Sequence, residues 1–156
     1  MKSPFKFLDA YQKDDKNIFF GRKEETSNLY NALSGVKHLL IYGPSGSGKT
    51  SLVECGLRNK FSRTEWFALT IRRKSNITKS VFESINEVLK EKMEVDAITG
   101  APVDSSLDFG QAIDRLFSEK YKPVYLLFDQ FEELLLFGTK TEKEDFFIRL
   151  NKLIYF

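Results

Sequence analysis

The chain has 156 residues, 42% of them hydrophobic and 14% aromatic, with 15 phenylalanines to fill a core, which is enough for one domain or most of one. Lys and Arg total 24 against 22 for Asp and Glu, and the resulting net charge of +2 gives no case for a nucleic-acid surface or for strong attraction to membranes. No run approaches the roughly 18 apolar residues of a membrane span, the N-terminus leads into no signal-like stretch, and a lone cysteine forms no intramolecular disulfide, so a cytoplasmic protein is expected.

Residues 1–20 mix Phe5, Phe7 and Tyr11 with charged residues in no clear period and read as an irregular N-terminal strap, with the domain proper over 21–156. Ile18-Phe19-Phe20-Gly21-Arg22 then turns into a helix expected over Lys23 to Leu33, with Leu29, Tyr30 and Leu33 on its apolar face and Ser34-Gly35 as the stop. Leu39-Leu40-Ile41-Tyr42 is a short continuous apolar run, the form of a buried parallel strand.

Directly after it, Gly43 to Thr50 reads Gly-Pro-Ser-Gly-Ser-Gly-Lys-Thr, a full match to the phosphate-binding pattern GxxxxGK[ST] known as Walker A. Glycines at 43, 46 and 48 let the backbone approach phosphate oxygens, so that successive N–H groups form an anion nest. The helix that follows points its dipole at the same anion, Lys49 adds a mobile charge, and Thr50 offers a hydroxyl to Mg²⁺. Ser45 and Ser47 fill and polarise the loop, and Ser51 opens the helix, in which Leu52, Val53 and Leu57 face inward and Cys55 is a small packing residue. Gly43, Ser45, Gly46, Ser47, Gly48, Lys49, Thr50 and Ser51 are thus the expected nucleotide-binding residues.

Glu65 to Arg72 is aromatic and β-branched enough for a second strand, and Arg72-Arg73-Lys74 reads as a solvated rim at its end. Asn76 is the expected N-cap of a long helix with Ile77, Val81, Ile85, Val88, Leu89 and Met93 at helical spacing, ended by a break at Gly100-Ala101-Pro102. A helix from about Ser106 to Lys120 should turn Leu107, Ile113, Leu116 and Phe117 inward. Val124 to Phe128 is the third strand, and a capping box at Thr141-Glu142-Lys143-Glu144 should start a last helix with Phe146, Phe147, Leu150 and Leu153 inward. Strands alternating with helices, with the phosphate loop at the first strand-to-helix turn, predict an α/β, three-layer P-loop NTPase domain around a parallel sheet of about three core strands.

The third strand ends in Asp129, as a Walker B strand does, and an acid at the carboxyl end of a buried parallel strand faces the crevice where such sheets bind ligands. Asp129 is the expected Mg²⁺ partner alongside Thr50. The next position holds Gln130, which can orient a water but cannot accept its proton. Glu132 and Glu133, one helical turn along, are the expected catalytic acids beside the terminal phosphate.

Phe19-Phe20-Gly21-Arg22-Lys23-Glu24-Glu25, the loop from Gly43 to Ser51 with Gly56-Leu57 downstream, and Phe128-Asp129-Gln130-Phe131-Glu132-Glu133-Leu134 together resemble the STAND ATPases, signal-transduction ATPases with numerous domains. The likeness is to a bacterial branch with this FDQFEEL form of Walker B, although position 23 is Lys where the family usually has Glu. The resemblance implies that Gly21 and Arg22 lie by the adenine with Phe19 and Phe20 near the base, that the acids after Asp129 position the attacking water, and that the cofactors are ATP or ADP with Mg²⁺. It also implies a fourth strand carrying a γ-phosphate sensor, a fifth strand and winged-helix regions beyond Phe156, so the chain reads as the N-terminal part of an NTPase domain, either an excerpt of a longer protein or a truncated gene product. The expected function is an ATP–Mg²⁺-binding module of a nucleotide-switched signalling or defence ATPase, self-associating through this domain or later ones, with slow or no hydrolysis. Two alternatives are a small-molecule P-loop kinase, against which the Arg-free stretch Thr139 to Lys143 counts as a poor lid, and an origin-recognition-like DNA-binding ATPase, against which the charge balance counts.

Overall fold

Two units make up the chain, Met1–Thr64 and Glu65–Phe156; a computed structural model describes Lys6 and residues 9–62, 65–93 and 106–155. The expected break at Gly100-Ala101-Pro102 lies outside the described residues.

In the first unit the strap contains one 3₁₀ turn, Lys13–Asp15. Asp15 is buried, where its carboxylate accepts the Gln12 N–H at 2.8 Å and pairs with the Lys6 ammonium. Helix α1, Lys23–Leu33, follows with Thr26 and Leu29 buried. After the phosphate-loop sequence, α2 (Lys49–Ser51), a π-helical segment (Leu52–Leu57) and α3 (Arg58–Lys60) form one continuous helical stretch. Its buried face is Ser51, Cys55, Gly56 and Leu57, while Leu52 and Val53 are half-buried. Cys55 is 1% exposed, and that burial raises its thiol pKa above the ordinary value, as befits a packing residue.

Leu39-Leu40-Ile41-Tyr42 corrects the sequence reading, for it forms no strand, and Leu40 and Tyr42 are 72% and 87% exposed. A strand exists by its ladder, and this unit holds no other strand among its described residues for the run to join.

In the second unit β1 (Phe67–Ile71) and β2 (Val124–Phe128) form a two-stranded parallel sheet with Phe67 opposite Val124 and Ile71 opposite Phe128. Among the described residues the strands number two, where about three were expected. Helices α4 (Ile77–Met93), α5 (Phe109–Lys120), α6 (Glu132–Phe137) and α7 (Lys140–Tyr155) complete a mixed α/β architecture. Asn76 caps α4 as expected, its Oδ1 accepting the Lys79 N–H at 2.9 Å. The α5 helix starts later than the pattern indicated, at a reciprocal box of Asp108 and Gln111, and buries Phe109, Ala112 and Leu116. That phase leaves Phe117 49% exposed, because it sits one residue beyond the inward stripe.

Phe146 of α7 is fully buried, with its ring centroid 5.3 Å from Phe128, 5.8 Å from Phe131, 5.9 Å from Phe109 and 5.5 Å from Phe147. Phe128, Phe131 and fully buried Leu134 recur every three residues and carry the turn after β2 onto this cluster. Phe147, expected inward, is 44% exposed on the shoulder of the stripe.

The N-terminus of α7 is capped two residues earlier than the sequence indicated: the Thr139 hydroxyl accepts the Glu142 N–H at 3.2 Å. The Glu142 carboxylate is thereby free to turn away from its own helix. It accepts Arg73 Nε at 2.9 Å, Arg73 Nη2 at 2.7 Å and the Ile77 N–H at 2.8 Å. One buried acid thus ties the end of β1 to the starts of α4 and α7. These bonds, Arg73's foremost, hold the Glu142 carboxyl below its ordinary value of 4.5 despite the opposing effect of burial.

Two outcomes follow from this packing. Phe146→Ala should destabilise the second unit by about 3–5 kcal/mol, read by urea unfolding of Trp66, the single tryptophan. Because the folded pKa of Glu142 is depressed, its stabilisation is complete above 4.5 and is lost as pH falls through the lower folded value. The gap in thermal midpoint between the native chain and Glu142→Gln should therefore be widest near neutrality and shrink on acidification; a gap constant from about pH 7 to pH 3 would contradict this role.

Candidate functional site

Within the first unit the phosphate-loop residues form a turn whose backbone only glycine adopts at low cost. Gly46 and Gly48 have φ of +75° and +81°, the left-handed region that L side chains rarely enter. Gly48 is also the N-cap of α2, so the change from loop to helix occurs at that residue. The Ser47 N–H donates to the Pro44 carbonyl at 3.3 Å, and the Leu52 N–H to the Gly48 carbonyl at 2.8 Å. Lys49 folds back over the loop and donates to the carbonyls of Gly43 at 3.0 Å and Pro44 at 2.9 Å. Gly43, Ser45 and Gly46 are exposed, whereas Ser47, Gly48, Lys49 and Thr50 are half-buried.

Three contacts brace this turn from behind. Arg22 donates through Nη2 to the Ser47 carbonyl at 2.5 Å and through Nη1 to Glu25 at 3.2 Å, so the Gly21-Arg22 segment, 25 residues away in sequence, is brought onto the loop. Helix α1 reaches that position because Gly56 has no side chain: a Cβ there would fall within 2.5 Å of Thr26 Oγ1. Ser51 is 9% exposed, and its Oγ accepts the Tyr11 N–H at 3.1 Å, which joins the strap to the first turn of the helix. At the far end Asn59 donates to the Lys13 carbonyl at 2.8 Å. Phe19 packs against Tyr11 with centroids 5.4 Å apart, and Phe20 stands 75% exposed beside Gly21.

Asp129, Glu132 and Glu133 belong to the second unit. Asp129 follows β2 directly, and its N–H extends the ladder to the Ile71 carbonyl at 2.9 Å. Gln130 has φ +56°, a left-handed turn in a residue with a side chain, which lets the chain double back at once into α6. Glu132 is exposed and Glu133 half-buried in the first turn of that helix. Glu133 lies near enough to Arg73 to add to the rise in the pKa of that guanidinium, a rise owed first to its hydrogen bonds with Glu142.

The basic run corrects the sequence reading. Arg72 donates through Nε at 3.0 Å and Nη2 at 2.6 Å to Oδ2 of Asp129, and Arg73 is committed to Glu142. Only Lys74, 3.5 Å from Glu83, keeps the character of a rim. The signal that could have found Arg72 was its place immediately after one parallel strand, as Asp129 stands immediately after another. Tyr11 and Thr26 left no such signal, since their roles are backbone and contact roles, and Gly56 entered only through the family likeness.

The family model for the novel STAND NTPase 1 group matches residues 4–155. Three uncharacterized ATP-binding proteins of Methanocaldococcus jannaschii are similar to the chain. One is 29% identical over 122 residues, covering 69% of this chain and 33% of the relative. A second is 28% identical over 92 residues, 58% of this chain and 25% of the relative, and a third 35% identical over 77 residues, 48% and 21%. The chain therefore spans a third or less of the length of these relatives. No solved structure matches it. With a phosphate-loop sequence built as a glycine turn on a helix, an acid at the end of a parallel strand and a family match over nearly every residue, the chain belongs to the novel STAND NTPase 1 family.

Proposed function

We propose that the chain is the ATP–Mg²⁺-binding module of a nucleotide-switched signalling or defence ATPase, the N-terminal part (21–156) of a three-layer P-loop domain. The observation that supports this most directly is the Gly43–Thr50 turn, with left-handed Gly46 and Gly48 and Arg22 fastened to its backbone. In this reading the loop amides and Lys49 grip the phosphates, and adenine rests against Gly21-Arg22 and the exposed ring of Phe20. Each of the two expected donors, the Thr50 hydroxyl and the Asp129 carboxylate, is a hard oxygen of the kind magnesium accepts. Magnesium is normally held by one or two protein oxygens together with waters and phosphate. Once bound, the ion neutralises charge on the phosphates.

Glu132 and Glu133 position the attacking water. Hydrolysis is slow or absent in this chain, and Gln130, next to Asp129, can orient a water but cannot accept its proton. ATP favours an open, self-associating state and ADP a closed one, in the cytoplasm.

A fluorescent ATP analogue should bind the native chain in the presence of Mg²⁺ and bind Lys49→Ala at least about tenfold more weakly. Arg22→Ala, which frees the Ser47 carbonyl, should weaken binding by about three- to tenfold. Equal binding by native and Lys49→Ala chains would overturn the assignment. Phosphate release by the native chain should stay near the Lys49→Ala level; a turnover of about 1 s⁻¹ or more, abolished by Lys49→Ala, would overturn slow hydrolysis.

A further inference from the structure

At the carboxyl ends of the two strands opposite charges stand abreast. The register that sets Ile71 opposite Phe128 brings the next residues, Arg72 and Asp129, side by side. Both donors of Arg72 converge on one oxygen, Oδ2 of Asp129, at 3.0 and 2.6 Å. The Asp129 side chain is 16% exposed and that of Arg72 58%.

Two charge-assisted bonds to one oxygen of a mostly buried carboxylate engage the lone pairs that a hard cation needs there. A guanidinium does not lose its proton to make way. A cation therefore gains Oδ2 only by displacing the whole side chain, and the exposure of Arg72 lets it swing into water at little cost. Arg73 cannot take its place, because Glu142 holds it by two hydrogen bonds.

We propose that Arg72 is a resident counterion of Asp129 that competes with the divalent cation, so that metal binding at Asp129 is coupled to release of a guanidinium at the strand ends. This rests on the reading of Asp129 as the acid that holds the metal. Arg72 is a positioning residue that sets metal affinity. A mere brace between the strands would have the opposite signature, since its removal would loosen Asp129 and gain nothing in affinity.

The test is titration of the 156-residue chain without nucleotide with Mn²⁺, free ion being read by electron paramagnetic resonance, for the native chain, Arg72→Gln, Arg72→Lys and Asp129→Asn. Arg72→Gln should bind Mn²⁺ about three- to tenfold more tightly than native. Arg72→Lys, which keeps the charge without the two-pronged donor, should fall between them, and Asp129→Asn should lose the site. Arg72→Gln binding no more tightly than native, with Asp129→Asn still defective, overturns the competition and leaves the metal reading intact. Equal binding by native and Asp129→Asn overturns the metal reading and the competition with it.

Discussion

The parallel register of Phe67–Ile71 against Val124–Phe128 is the constraint on which the second unit depends. Side chains alternate across a sheet, so a slip of one residue would turn Leu69, Ile71, Leu126 and Phe128 away from the helices that cover them. The same register decides the chemistry at the strand ends. It sets Arg72 beside Asp129 and sends Arg73 to the other side, where it meets Glu142. Two arginines adjacent in the sequence thus acquire different work, the exposed Arg72 at the candidate site and the largely buried Arg73 as a tie between β1, α4 and α7.

The segment after β2 shows how packing and chemistry share a short stretch. Phe128, Phe131 and Leu134 point into the aromatic cluster around Phe146, while Asp129, Gln130, Glu132 and Glu133 occupy the positions between. The left-handed Gln130 is what makes the three-residue inward spacing compatible with a strand that ends at Phe128 and a helix that begins at Glu132. The acids are held on a firm support because Phe128 and Phe131 pack against the core and Leu134 is buried in it.

In the first unit the loop depends on a helix fixed from three sides. Gly56 admits α1, α1 carries Arg22 to the Ser47 carbonyl, and Ser51 takes the Tyr11 amide of the strap. A turn that works through its backbone amides takes its precision from whatever immobilises the backbone. Here that support comes from residues far apart in sequence.

Much of this was legible beforehand, for physical reasons that differ by element. The loop residues are contiguous, and the glycines announce their backbone. Helix α1 was read to the residue and β2 likewise, because apolar period and punctuation agree there. Leu39–Tyr42 misled because an apolar run specifies a wish for burial, whereas a strand needs a partner edge. Phe117 and Phe147 misled because helical period defines a broad stripe, and only the neighbouring elements choose its centre. Residue order by itself determined the phosphate-loop pattern, the strand ending in Asp129 and the family likeness, all of which are local patterns of residue type. Only the tertiary structure decided that Arg72 neutralises Asp129, that Glu142 leaves its own helix for Arg73 and Ile77, and that Arg22 grips Ser47. Those pairings span 25 to 69 positions of chain, and no local pattern selects one partner among the 24 cations and 22 acids until packing brings them within hydrogen-bonding distance.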